Sequence, residues 1–523
     1  MQGVPSNSDE IWLRDNESLL SVHPSPIVRP PKLPSPVAAL AQLTGVETIA
    51  AIGTRPPLAA TLLEGNATRE ARLFEALFGR DALTISRFVR DDWPALTTTT
   101  LIALAELQGL PFEAAPHADL YTRRLEQPGR IPHETREASD PIARDLIQRM
   151  NWAFPYFHSD DATPMFVRDL AQLALHDSRV LAKRIVQRDG VERSLADALG
   201  AGVAHIVASL SPEGTLLSAR GPAEQASGLH SYPVWQDSPD AYFRTNGDLA
   251  RNSIAALEVQ VYTYDALHAI ERLVRRYPTL QARLGTTCEI AELADAVHRS
   301  VHLQFWVASD GGYFAPAVEK VGNQFVALGG RKSNMGALLD SAILSDGPVS
   351  RGFAAVVHAM FDREHEMVTP WGIRTLSPVG AADHYRPDAY HNGSIWLFDN
   401  HVMARGLHRH GWHGLAHWLN RTLVAACDEL SLYPEYIRGD SSEHPRITEY
   451  VADVIAIEPD GLTRHTRIAQ PPQPVQGWTV AAYLGAQRAI RKYPAHAYDA
   501  RTRRVEEQLL DGLRTDRGMT FGR

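Results

Sequence analysis

From residue 70 onward, apolar residues recur every three and four positions in long stretches, the spacing that puts them on one face of a helix. The stretches at 97–108, 164–175, 194–210, 252–275, 280–305, 351–361, 394–408, 415–427 and 479–490 predict helices. Period-two alternation is confined to short pieces at 312–314 and 323–327. There Asp310-Gly-Gly and Gly322-Asn predict turns of small hairpins. Thr163-Pro164 predicts a helix start, with Thr163 capping and Asp160 and Asp161 where the helix dipole favours negative charge. Before residue 70, His23-Pro-Ser-Pro, Arg29-Pro-Pro and Leu33-Pro-Ser-Pro forbid a regular helix, because each proline lacks a donor and restricts its predecessor. An irregular lead is expected there, with one short strand or helix within 37–52.

The segments between predicted helices are rich in Trp, Asp, Pro and His. A helical scaffold that presents its chemistry from loop ends at one face follows from that distribution. The expected fold is all-α in the main: a helical toroid with small β-hairpin decorations. Residues 1–70 form the lead and 71–523 the toroid.

Composition narrows the function. The 523 residues carry 52 Lys plus Arg against 61 Asp plus Glu, a formal charge of −9, and lack a basic run interleaved with aromatics, so nucleic acid is not an expected partner. Two cysteines, Cys288 and Cys427, make neither a disulfide framework nor a C-x-x-C site. The N-terminus has no basic and apolar leader pattern, and no apolar stretch is long enough for a membrane span, so a cytoplasmic protein without a membrane partner is expected. There is no Walker loop and no Gly-x-Gly-x-x-Gly after a strand, so no nucleotide cofactor is expected. His408, His410, His413 and His417 lack the H-E-x-x-H pattern, and no metal is expected.

Two loop carboxylates sit in aromatic surroundings: Asp237 in Val234-Trp-Gln-Asp-Ser-Pro-Asp-Ala-Tyr and Glu435 in Leu432-Tyr-Pro-Glu-Tyr-Ile-Arg. Glycoside cleavage needs one carboxylic acid to protonate the leaving oxygen and one carboxylate to activate water or attack carbon. A carboxyl beside Trp235 or Tyr433 would be partly desolvated and hold its proton nearer neutrality. On the residues alone, a carboxylate in such a loop is more often a helix cap or a surface ion pair than a catalytic group.

Eight motifs appear in order: Leu77-Phe-Gly-Arg-Asp-Ala-Leu, Gly129-Arg-Ile-Pro-His-Glu-Thr-Arg, Asp160-Asp-Ala-Thr-Pro-Met-Phe, Trp235-Gln-Asp-Ser, Ser333-Asn-Met-Gly, Thr369-Pro-Trp-Gly-Ile-Arg-Thr-Leu-Ser, Tyr390-His-Asn-Gly-Ser-Ile-Trp and Tyr433-Pro-Glu-Tyr. The series resembles the amylo-α-1,6-glucosidase family of glycogen-debranching enzymes and its relatives around glucoamylase and processing α-glucosidase. That resemblance implies a barrel of six helical hairpins, an (α/α)6 toroid over residues 71–523, and an inverting, exo-acting hydrolase of an α-linked gluco-configured substrate, with Asp237 as general acid and Glu435 as general base. It also implies sugar binding by Arg80, Asp81, His133, Glu134, Trp235, Gln236, Trp371, Tyr390, His391, Asn392, Trp396 and Trp478. With only residues 1–70 ahead of the barrel, a small oligosaccharide or glycoside is expected at least as much as glycogen. The expected partner is a small carbohydrate, and self-association stays open. An epimerase, lyase or phosphorylase on the same toroid, or a non-catalytic carbohydrate binder, is the alternative.

Overall fold

A computed structural model describes residues 33–61, 72, 74–114, 118–219, 231–309, 311–344, 351–447, 450–457, 463–470, 472–493 and 502–515. Six helices form an inner ring: α2 (Gly79–Val89), α4 (Ala162–His176), α6 (Leu257–Arg276), α8 (Gly336–Leu339), α10 (Leu397–Arg409) and α12 (Gly477–Lys492). Each touches the next, and α12 closes on α2. Outside them lie α1 (Pro36–Leu43), α3 (Pro94–Leu107), α5 (Leu195–Ser209), α7 (Thr287–Gln304), α9 (Arg351–Phe361) and α11 (His413–Leu430). α3 covers α2, α5 covers α4, α7 covers α6, α9 covers α8, α11 covers α10 and α12, and α1 lies on α12. The expected (α/α)6 toroid is the observed fold.

The inner and outer rings meet through apolar clusters. In one of them Leu101 and Leu104 of α3, Phe166 and Leu170 of α4, Leu199 and Ile206 of α5 and Ile270 of α6 are all buried. At about 1.5–3 kcal/mol per fully buried aliphatic side chain, this apolar layer dominates the cohesion of the rings.

The differences from the sequence reading have local causes. The sequence reading places no helix at 79–89; every residue of α2 is buried, and its polar stripe of Arg80, Thr84 and Arg87 is buried with its apolar one. Residues 254–256, expected as helix, form a strand, and α6 begins at Leu257. The stretch 280–305 is interrupted at Gly285, whose φ of +90° ends one helical piece before Thr286 caps α7 with a capping box to Glu289. Thr163 lies inside α4, not at its cap. Its hydroxyl accepts from the Ile131 N–H at 2.9 Å, while Asp161 takes the cap position and sends its carboxylate elsewhere. The short element expected within 37–52 is present as α1, a helix capped by Ser35 and packed in the same core as α12.

The small sheets are antiparallel. β1 (Leu77–Phe78) pairs with β2 (Glu134–Thr135). β3 (Ile254–Ala256), β4 (Ala317–Val321) and β5 (Gln324–Ala327) form one sheet, turning at Gly322. β6 (Tyr450–Ile457) and β7 (Thr463–Gln470) pair over eight residues in a ribbon that the sequence reading did not anticipate. Among the described residues, no helix is long and apolar enough to cross a membrane, and no group of three or more His, Cys, Asp or Glu could hold a metal ion.

Candidate active site

The polar side chains inside the ring gather where the inner helices begin. Arg80 and Asp81 occupy the first turn of α2, Asp161 caps α4, Glu258 opens α6, Trp396 precedes α10 and Gln476 precedes α12. Helix starts favour negative charge, and the carboxylates collect there. The start of α2 is fixed by a close approach. A Cβ on Gly79 would lie 2.3 Å from the Pro132 carbonyl oxygen, so only glycine lets β1 and β2 pair while Arg80 turns into the ring.

Arg80 anchors this cluster. Its Nη1 donates to Asp161 Oδ2 at 2.6 Å, and its Nη2 lies 3.8 Å from Asp237 Oδ2. Asp161 and Arg80 are buried, whereas the Asp237 side chain keeps 42% of its surface open, which puts that carboxyl within reach of solvent. Burial nevertheless raises its pKa to about 6, with Arg80 opposing and Asp161 adding to the rise. Asp81 accepts from Gln476 Nε2 at 3.2 Å. Burial raises it to about 7 against the pull of Arg80.

Glu435 is buried. Tyr390 Oη donates to its Oε1 at 2.5 Å and the Gln473 N–H to its Oε2 at 3.0 Å. Both donors favour the carboxylate, yet burial wins and raises it to about 7, with Asp81 and Asp237 pushing the same way. Asp237, Asp81 and Glu435 therefore feel one another across one space, with Arg80 opposing Asp237 and Asp81. The pair most suited to acid–base work has both pKa values moved toward neutrality.

Aromatic rings cluster beside Asp237 and Tyr390. Trp235 stands edge-on to Trp396 and Phe398, with centroids at 6.0 and 5.3 Å, and Trp478 stacks on Phe398 at 4.1 Å. His391 stacks on Trp396 at 5.2 Å and accepts the Ser238 N–H at Nδ1, 3.2 Å away. Burial holds it well below the usual histidine range, so it is neutral. Trp396 is sealed, and its Nε1 donates to the Tyr390 carbonyl at 2.8 Å, so it supports the cluster from behind. Trp371 sits half-buried further along the rim, donating to the Ser442 carbonyl at 3.0 Å. Gln236 is buried with both amide atoms unpartnered among the described residues.

His133 lies within the field of Arg80 and edge-on to Phe78 at 5.3 Å. Glu134 is committed to Arg136 in a buried ion pair, and Asn392 spans two loops, accepting from Lys332 Nζ at 2.9 Å and donating to the Asp240 carbonyl at 2.7 Å. The sequence reading gave Asp161 a place at a helix start and assigned no site role to it, Gln473, Gln476 or Lys332. The doubled aspartate of Asp160-Asp161 was the one available signal, because glutamines and a single lysine form no pattern. A cavity of about 1080 Å³, lined by Tyr121, Arg130, Asp160, His205 and the alanines of α5, does not include Asp237 or Glu435. Size alone does not locate the chemistry.

Residues 201–451, which include both carboxylates, match the family model described as the mannosylglycerate hydrolase MGH1-like glycoside hydrolase domain. That match supports a glycoside hydrolase without singling out amylo-α-1,6-glucosidase. No curated protein matches the chain. Among solved structures, the GH63 mannosylglycerate hydrolase from Thermus thermophilus in complex with Tris is similar at 13% identity and TM-score 0.52, over 86% of this chain and 98% of that one. The same hydrolase with Tris and D-glycerate is similar at 12% identity and TM-score 0.52, over 86% and 99%. At these identities the likeness is one of fold.

Proposed function

Taking residues 201–451 as a glycoside hydrolase domain, we propose that the protein hydrolyses a small α-hexoside with inversion, using Asp237 as general acid and Glu435 as general base. The observation that carries this reading is the pairing of two carboxyls, both raised toward neutrality and electrostatically coupled, with Arg80 beside one and Tyr390 on the other. In the reaction, protonated Asp237 gives its proton to the glycosidic oxygen as the C1–O bond breaks. Ionised Glu435 takes a proton from water as the water oxygen bonds C1 from the opposite face. The products are the free aglycone alcohol and the sugar of inverted anomeric configuration.

Arg80 and Asp81 are assigned to the terminal sugar. A donor fork and a carboxyl at the start of α2 suit adjacent hydroxyls, and a substrate lacking one would leave a buried polar group unpaired. Further along α2, Arg87 Nη1 donates to Asp169 at 2.8 Å and its Nη2 lies 3.6 Å from Asp340, beside a cavity of about 30 Å³. That ion-pair cluster suits an exo-acting pocket closed at one end. The motif resemblance favours a gluco-configured sugar. A second reading, a manno-configured sugar on glycerate, has the description of the matching family behind it.

The test is turnover of a panel of α-glucosides and α-mannosides, the glycerate glycosides of both sugars included, with Asp237→Asn and Glu435→Gln as controls. Release of hexose by the wild type and not by the variants supports the assignment. Wild-type turnover retained in both variants would sink it.

A further inference from the structure

The segment Tyr390-His391-Asn392 reaches the acid loop and the base at once. On one side Tyr390 Oη donates to Glu435 Oε1 at 2.5 Å. On the other, His391 Nδ1 accepts the N–H of Ser238, the residue after Asp237, at 3.2 Å, and Asn392 Nδ2 donates to the Asp240 carbonyl at 2.7 Å. Lys332, fully buried, doubles the second link: its Nζ donates to Asn392 Oδ1 at 2.9 Å and to the Ala241 carbonyl at 2.8 Å.

The segment is also bound to the base loop through its backbone. Ile395 and Ile437 exchange hydrogen bonds at 2.8 and 2.9 Å, and the Gly439 N–H donates to the Pro387 carbonyl at 2.7 Å. A Cβ on Gly439 would sit 1.6 Å from the Gly393 carbonyl oxygen, so glycine is required for the two loops to lie this close. Residues 387–395 thus travel with Glu435, and three successive side chains tie that unit to Glu435 and to the Asp237 loop.

Resting on the assignment of Asp237 and Glu435 above, we infer that Tyr390, His391 and Asn392, braced by Lys332, are a strut of positioning residues that sets the separation of acid and base, in place of the sugar-binding role the motif suggests. Separation is the quantity an inverting site must control, because a water has to fit between the base and the anomeric carbon. A misplacement of about 1 Å costs on the order of 10²-fold in rate. Tyr390 has a second duty: its hydrogen bond favours the ionised form of Glu435, the form that accepts the water proton.

Three variants test the strut on 4-nitrophenyl α-hexosides. Tyr390→Phe is expected to lower kcat by tenfold or more with KM within about twofold, and to move the acidic limb of the pH profile to higher pH. His391→Ala should lower kcat likewise. His391→Asn, whose amide oxygen replaces Nδ1 as acceptor for the Ser238 N–H, should restore most of the loss. A raised KM with kcat intact, or no rescue by asparagine, would return the segment to sugar binding and overturn the strut.

A second measurement needs no substrate. The pH dependence of unfolding, followed by urea titration, should change in Tyr390→Phe when Glu435 is present and stay unchanged when Glu435→Gln is the background. Equal effects in both backgrounds would show that Tyr390 does not act on Glu435. Retained turnover in Asp237→Asn and Glu435→Gln is a separate outcome, which defeats the functional assignment without touching this coupling.

Discussion

Replacing Glu435 with glutamine should abolish turnover and yet stabilise the unliganded protein at neutral and alkaline pH. Glu435 has an ordinary value of 4.5 and is raised to about 7 in the fold, where it is 2% exposed. The sign follows from proton binding. Between 4.5 and about 7 the folded state holds a proton that the unfolded state has released, so stability falls as pH rises through that window. Below 4.5 both states are protonated and the penalty is absent. Above about 7 it is complete. At 1.36 kcal/mol per pH unit, the movement from 4.5 to about 7 corresponds to a penalty on the order of 3 kcal/mol. Glutamine is neutral and nearly isosteric. Its oxygen can accept the Gln473 N–H and its amino group can donate to Tyr390 Oη, so both existing partners stay satisfied. An unfolding entropy of about 2.1 cal/mol/K per residue over 523 residues converts this to a Tm gain of about 3 °C at pH 8. The assay is a pair of melting curves, wild type and Glu435→Gln, at intervals from pH 4 to pH 8. The difference should open between the ordinary value of 4.5 and about 7 and stay flat above. A variant less stable than wild type at pH 8, or a difference independent of pH, would refute the claim that burial of this carboxyl is opposed by the fold and kept for chemistry.

Asp237→Asn should eliminate cleavage of an alkyl α-hexoside while retaining part of the activity toward a glycosyl fluoride, whose leaving group needs no proton. Equal loss on both, measured by initial rates, would count against the acid role. The profile of kcat/KM should be a narrow bell centred near ~6.5. Its acid limb follows Glu435 taking up a proton and its alkaline limb follows Asp237 losing one, from their values of about 7 and about 6. The limbs belong to the coupled pair, and a plateau extending to pH 9 would contradict this. Asp81→Ala should reduce kcat/KM by at least ~10²-fold with a modest change in melting temperature, as expected if it holds a sugar hydroxyl. Near-normal kinetics with a lowered melting temperature would return it to the scaffold.

The longer helices of both rings were legible in the sequence: α3, α5, α7, α9 and α11 outside and α4, α6, α10 and α12 inside display the three-to-four spacing. α2 is not among the predicted helices, and its polar positions, Arg80, Asp81, Thr84 and Arg87, are buried together with its apolar ones. α8 spans only Gly336–Leu339, too short for any period to register. In the site, Asp237, Glu435, Arg80 and Asp81 were legible because charged residues in ordered motifs are conspicuous. Gln473, which uses its backbone N–H, leaves no sequence mark, and Asp161, which meets Arg80 instead of capping its helix, is marked only by the doubled aspartate of its motif. Glu134 and Trp396 also stand in motifs; the first pairs with Arg136 and the second is sealed behind Tyr390 and His391.

Inversion at the anomeric carbon is decided by the stereochemistry of the first product. Proton NMR of the anomeric region, recorded within the first minutes of cleavage of an α-hexoside and before mutarotation, should show the β-hexose forming first. An α-hexose as the first product would mean retention, and with it the loss of Glu435 as a base acting through water.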